Sequence, residues 1–412
     1  MLKGVVAVLG TFDTKGRELD YLINAIKKAG AQVLTIDTGI GVPQCIKPDI
    51  SNDEVAATVG VRTAELKRNN DRGYAIKCMV SGAERVLLRL YADNKVNAVI
   101  GLGGSAGATI GTSAMRKLPI GFPKMMISTV ASGDVRPYVG EKDIIMMNSV
   151  VDIAGINRIS SAILTTAANA IAGMATGSAA DIVDDKPLIV ATMFGVTTPC
   201  VTKAKDYLEA AGFEVLVFSA SGIGGRTMES LIETGMISGV LDVTTTEWCD
   251  ELVGGILGAG PKRLDAAAHC AIPQVVSVGA LDMVNFGPKG TVPEKFKDRK
   301  LYEHNATITL MRTTKEETAR LGELIADKLS KSKAPCTLFI PLKGVSMIDA
   351  EGMPFHGPEE NRALFDALRK GCSDNVRIIE KDLHINDDDF ALAMAMELES
   401  LIRSNSSWGS FD

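Results

Sequence analysis

At 412 residues the chain is too long for one ordinary hydrophobic core, so two domains of roughly 200 residues each are expected. Apolar residues make up 46% and charged residues 23%, and the net charge of −6 has no acidic or basic block behind it, which argues against a nucleic-acid or anionic-membrane partner. Seven scattered cysteines without a C-x-x-C pair exclude a disulfide framework or zinc knot, and MLKGVVAVLG is too short an apolar run for a signal segment, which together fit a reduced, cytosolic protein.

Short apolar runs alternate with amphipathic stretches, the pattern of βαβ units around a mainly parallel sheet. Gly4–Gly10 reads as a strand and Arg17–Ala29 as a helix with Leu19, Leu22, Ile23 and Ile26 on one face, stopped by Gly30. Further strands are expected at Val33–Ile36, Val96–Leu102, Lys124–Ser128 and Asp143–Met147, with helices at Tyr74–Asp93 and Ala106–Lys117. The apolar stretch Val150–Gly177 carries Asp152, Asn157, Arg158 and Asn169 and reads as a packed helix, not a membrane span.

A second start follows the charged turn DIVDDKP. LIVATMFG reads as a strand, Thr202–Ala211 as a helix ending at Gly212, and EVLVF as another strand. AIKKAGAQVL and YLEAAGFEVL align at a constant offset of 182, which also pairs Phe12 with Phe194. The fold expected is therefore α/β, two Rossmann-like domains with mainly parallel sheets, internally duplicated, at 1–182 and 185–412 and joined near Ala180–Lys186. The first half carries an insertion, roughly Pro43–Arg72, that the second lacks.

The residues that carry chemistry cluster at strand ends. In VIGLGGSAG the turn from strand to helix offers backbone N–H groups to an anion at Gly103, Gly104, Ser105, Ala106 and Gly107, or else is a tight turn of small residues for helix-on-sheet packing. LGTFDTKGRE places Thr11, Asp13, Thr14 and Lys15 after the first strand, a set that suits a phosphate with magnesium or simply caps the helix. STVASGD places Ser132, Gly133 and Asp134 after another strand, with Asp134 available to a ribose hydroxyl or metal-bound water, or to a turn. In the second half FSASGIGGRTMESL puts Gly224, Gly225 and Arg226 at a helix start, VTTTEWCDE puts Thr245 and Glu247 after a strand, and GALDMVNFG adds Asp282. His269, His304, His356 and His384 lack metal-ligand spacing; His304 and His356 fall on irregular segments, where a functional role stays open. No residue is assigned a catalytic role.

Ten stretches in order, among them GTFDTKGRE, KPDISNDEVA, ISTVASGDVRPYVG, SVVDIAGINRIS, VLDVTTTEWCDELVGG and IPLKGVSMIDAEGMPF, resemble the family of Tm-1-like ATP-binding proteins over nearly the whole chain. The resemblance implies two Rossmann-like domains, self-association as a dimer or higher oligomer, and ATP binding in at least the plant member. Where that family typically reads H-A-T-G, this chain has Ser219, Ala220, Ser221 and Gly222, so a histidine role at position 219 is excluded. Two readings follow. One is a cytosolic nucleotide-binding protein, its ATP and magnesium held by Gly103–Gly107 and Thr11–Lys15. The other is a metabolic enzyme acting on a small phosphorylated or carboxylated substrate, with the polar turns of both halves pooled in the crevice between them. A pure interaction module explains the glycine loops poorly.

Overall fold

The computed structural model describes residues 4–177 and 186–404. They form two compact units, one on each side of 178–185. The expected domain limits at 182 and 185, and all of the expected junction except Lys186, lie outside the described residues.

The first unit runs β1 (Val5–Gly10), α1 (Gly16–Lys28), β2 (Gln32–Asp37), α2 (Asn52–Ala57), α3 (Thr63–Asn69), α4 (Arg72–Ala92), β3 (Ala98–Leu102), α5 (Ser105–Arg116), β4 (Lys124–Ser128), α6 (Arg136–Val139), β5 (Ile145–Asn148) and α7 (Arg158–Thr176). Its five strands are all parallel, in the order β2-β1-β3-β4-β5. Alternate residues of β1 explain why both faces are covered: Val6 and Val8 pack with α1 and α7, whereas Ala7 and Leu9 pack with α4 and α5. By length and composition α7 is apolar enough to cross a membrane, yet Leu164, Ala167, Ala168 and Ile171 are buried in that core, so it is one of the sheet's covering helices.

The second unit continues with β6 (Leu188–Met193), α8 (Thr198–Ala210), β7 (Glu214–Ser219), α9 (Ile223–Ile232), β8 (Ile237–Thr244), α10 (Glu247–Val253), α11 (Ala266–His269) and β9 (Gln274–Gly279). Three short strands follow, β10 (Met283–Phe286), β11 (Leu301–Asn305) and β12 (Ile308–Arg312), then α12 (Lys315–Leu329), β13 (Cys336–Pro341), α13 (Pro358–Gly371), β14 (Val376–Lys381) and α14 (Asp388–Ser404). Six strands make a parallel sheet, β14-β13-β9-β8-β6-β7, and β10-β12-β11 make a separate antiparallel one. His304, expected on an irregular segment, lies in β11, at the register shift between Glu303 and Asn305 of an exposed hairpin.

The two parallel sheets start in the same way, with the second strand outside the first and the third and fourth on its other side. Helices α1 and α8, and strands β2 and β7, are separated by 182 residues at both ends. Gly30 and Gly212, just after those helices, adopt φ of 97° and 96°, a left-handed conformation that stops a helix and that side chains with a Cβ disfavour. Only the first strand departs, β6 ending one residue later than the offset gives.

Candidate functional site

In a doubly wound sheet, neighbouring strands whose connections leave to opposite faces open a crevice at their C-terminal ends. In the first unit those strands are β1 and β3, and a cavity of about 620 Å³ sits there. Thr11, Asp13, Thr14 and Lys15 line one side and Gly103, Gly104, Ser105, Ala106 and Gly107 the other. The two strand-end motifs of the first half are thus brought together.

The glycine turn starts α5 without a side-chain cap and without an acidic residue in the first turn, so the free N–H groups and the helix dipole are left for an anion. A Cβ on Gly103 would sit 2.9 Å from the Gly107 Cα, a spacing that demands glycine, whereas one on Gly104 would have no atom nearer than the Thr129 hydroxyl at 3.9 Å.

Opposite the turn, the half-buried Asp13 accepts from the Gly41 N–H at 2.7 Å through Oδ2, and its Oδ1 has no hydrogen-bond partner among the described residues. The Thr11 and Thr14 hydroxyls are 2.7 Å apart, and the Lys15 ammonium donates to the Ile153 carbonyl. Just behind Asp13, at the end of β2, Asp37 accepts from the Phe12 N–H (3.1 Å) and the Gly39 N–H (2.8 Å), while its Oδ2 is also without a partner. Burial, opposed by those two N–H groups and aided by the charge of Asp13, pushes the Asp37 carboxyl up to about 6.

Sequence reasoning missed the third wall. Leu66, Ala75, Ile76 and Met79 form an apolar surface, with Lys67, Asn70, Asp71 and Arg72 beside it. Most of this comes from α3 and the start of α4, in or next to the insertion that breaks the duplication; that break was the available signal.

The remaining expected residues are placed elsewhere. Ser132, Gly133 and Asp134 are exposed in the turn after β4 and do not line the cavity. Asp134 is engaged instead by Arg136 at 2.8–2.9 Å, and that guanidinium holds its carboxyl down at about 2.

In the second unit the glycine turn already has its anion, which corrects the expectation of a ligand pocket there. Glu247 Oε1 accepts from the Gly222 N–H (2.6 Å) and the Gly225 N–H (3.2 Å), and Oε2 accepts from Arg263 Nε (2.6 Å). Arg263 also bridges to Asp242 at 2.5 and 2.7 Å, and all three side chains are at most 1% exposed. A Cβ on Gly225 would collide with the Glu247 carboxylate, and one on Gly224 with the Ser219 carbonyl, so both glycines serve this close packing. Arg226 donates to the Gly258 carbonyl at 3.2 Å, and the buried Thr245 hydroxyl to the Ser277 carbonyl at 3.2 Å. Asp282 is fully buried, bonded to the Ser346 hydroxyl at 2.8 Å, and burial pushes it up to about 7.

Against known families, residues 4–180 match the N-terminal domain and residues 186–402 the C-terminal domain of an uncharacterised protein family, UPF0261. The chain belongs to UPF0261. The two UPF0261 regions correspond to the two compact units. A UPF0261 protein of Clostridium tetani is 54% identical over 96% of this chain and 98% of its own length, and UPF0261 protein RA0729 of Rhizobium meliloti is 48% identical over 94% and 96%. The ToMV resistance protein Tm-1 of Solanum lycopersicum is 42% identical over 94% of this chain and 54% of its own length, in line with the Tm-1-like resemblance of the motifs. Among solved structures, a UDP-N-acetylglucosamine 2-epimerase from Rickettsia bellii aligns over 99% of this UPF0261 chain at 11% identity with a TM-score of 0.23, a likeness that carries no functional argument.

Proposed function

We propose that the first unit binds ATP, as its magnesium complex, in the cavity at the ends of β1 and β3. The observation that carries this reading is that the uncapped glycine start of α5 and the strand-end residues Thr11, Asp13, Thr14 and Lys15 line one cavity of about 620 Å³. Phosphate oxygens suit the N–H groups of Gly104–Gly107, where the helix start needs no charged side chain to bind them; the Gly103 N–H already donates to the Ile127 carbonyl at 3.1 Å. Asp13 suits a water of the hydrated magnesium, an ion that keeps most of its waters and takes only one or two carboxylates. The apolar surface of Leu66, Ile76 and Met79 suits a purine ring, with Lys67 and Arg72 as counter-charges nearby. The motif resemblance to Tm-1-like ATP-binding proteins supports the same ligand.

Gly104→Asp tests it. Gly104 has a φ of −72° and room for a side chain, so the variant keeps the fold while setting a carboxylate against the phosphates. Titration calorimetry with MgATP is expected to show binding weakened by about a hundredfold or more, equivalent to about 2.7 kcal/mol, at an unchanged melting temperature. Equal affinity in the folded variant would falsify the proposal.

A further inference from the structure

The connection from β13 to α13, residues 342–357, contains no helix or strand, and connections beyond roughly 12–15 residues in compact domains are usually functional or disordered. This one is tightly held. Arg312 donates from Nε to the Phe355 carbonyl at 2.8 Å, and from Nη2 to the Gly357 carbonyl and the Asp349 carboxylate at 3.3 Å each. Asp349 also accepts from the Val345 N–H (2.9 Å) and the Asn361 amide (2.6 Å). Arg312 is 5% exposed and Asp349 0%. A buried pair of this kind adds little net stability over an apolar core of the same size. What it fixes is one geometry for the loop.

Over that loop lies an open cavity of about 920 Å³, within the second unit and at the C-terminal edge of its parallel sheet. Most charged groups in its lining are already engaged: Arg369 by Asp366 (2.6 Å) and Glu380 (2.5 Å), and Asp387 by the His384 N–H (2.8 Å). Both ring nitrogens of His384 are used, at 2.9 Å to the Ser346 carbonyl and 3.1 Å to the Asn386 N–H. His356 differs. Its Nδ1 lies 3.2 Å from the Asp349 carbonyl, and since a carbonyl only accepts, Nδ1 carries the proton and the neutral ring keeps a lone pair on Nε2. Arg362, in the second turn of α13, has no hydrogen bond or ion pair among the described residues, and the Glu351 carboxylate likewise has none.

We propose that this cavity is a second small-molecule site, for a hydroxylated oxyanion, whose carboxylate or phosphate pairs with Arg362 and whose hydroxyl donates to His356 Nε2. Glu351 on the same wall selects for a ligand with a hydrogen-bond donor beside its anionic end. The site lies in the second unit, and its residues belong to IPLKGVSMIDAEGMPF and the segment just after it, which the nucleotide reading leaves without a role.

The chain has four histidines, so the imidazole resonances of the full-length protein, carbon-13 labelled at histidine, can be followed singly by NMR, with His356→Gln assigning the one of interest. Malate and glycerol 3-phosphate are titrated separately, against sodium chloride at equal ionic strength. The expected result is a saturable shift of the His356 resonance with malate or glycerol 3-phosphate and none with chloride; which of the two acts distinguishes a carboxylate from a phosphate ligand. Arg362→Gln is expected to weaken the response by about tenfold or more, the worth of a charge-assisted hydrogen bond, and Arg362→Lys to restore part of it. A His356 resonance unmoved by both acids, or moved equally in Arg362→Gln, overturns the proposal.

Discussion

Asp37 ends β2 with one carboxylate oxygen bonded twice to backbone and the other without a partner, and its pKa rises from 3.8 to about 6. Below 3.8 the folded and unfolded chains both hold the proton. Between 3.8 and about 6 only the folded chain does, so stability falls as pH rises through that window and stays reduced above it. The full effect is about 3 kcal/mol at 1.36 kcal/mol per pK unit. Asp37→Asn keeps an acceptor for Phe12 and Gly39 and removes the charge, so in denaturant titrations it is expected to match the wild type near about pH 4 and to exceed it by up to that amount near about pH 7.5. A constant difference at both pH values would contradict this account. Asp13 and the Gly103–Gly107 turn were legible as candidates that the fold then lines along one cavity, because strand-end position and glycine spacing are local properties. Glu247 was not, since its partners Gly222, Gly225 and Arg263 come from separate segments, and a carboxylate after a strand looks the same in sequence whether it waits for a ligand or is buried against an arginine.

At the scale of elements, the repeat from α1 to β2 and from α8 to β7 was readable because helix length, cap glycine and the following strand are all local, and all recur at 182 residues. Gly30 and Gly212 share nearly the same φ, and neither has an atom within 4 Å of where a Cβ would sit. Alanine at either position therefore adds backbone strain and nothing else. Gly30→Ala and Gly212→Ala are each expected to lower stability by about 1 kcal/mol, to within a few tenths of each other, as measured by urea unfolding; a large difference would mean that the two helix ends are not equivalent. The antiparallel sheet of β10, β12 and β11 was not legible. Its strands have only four or five residues, and β11 turns into β12 through Ala306 and Thr307 without the Asn-Gly or Asp-Gly signal of a tight hairpin. That is why His304 was expected on an irregular segment.

For the molecule as a whole, the division into two α/β units follows from alternation along the chain, but the role of the Pro43–Arg72 insertion does not. Leu66, Ile76 and Met79 stand on helices and read as ordinary core positions; only the fold turns part of their surface toward a cavity. The two glycine turns should consequently respond differently to ligand. In hydrogen exchange of the full chain, saturating MgATP is expected to slow the amides of 103–110 and 66–79 and to leave those of 222–226 unchanged; protection at the second turn instead would place the nucleotide in the wrong unit. The reason for that asymmetry lies in Glu247. A side chain attached to the same chain as its receptor, and held in place by Arg263, binds without the translational and rotational cost that a free anion must meet. The glycine turn after β7 is in this sense permanently saturated by a guest it cannot release, sealed from within, whereas the turn after β3 has no side chain of its own in that place.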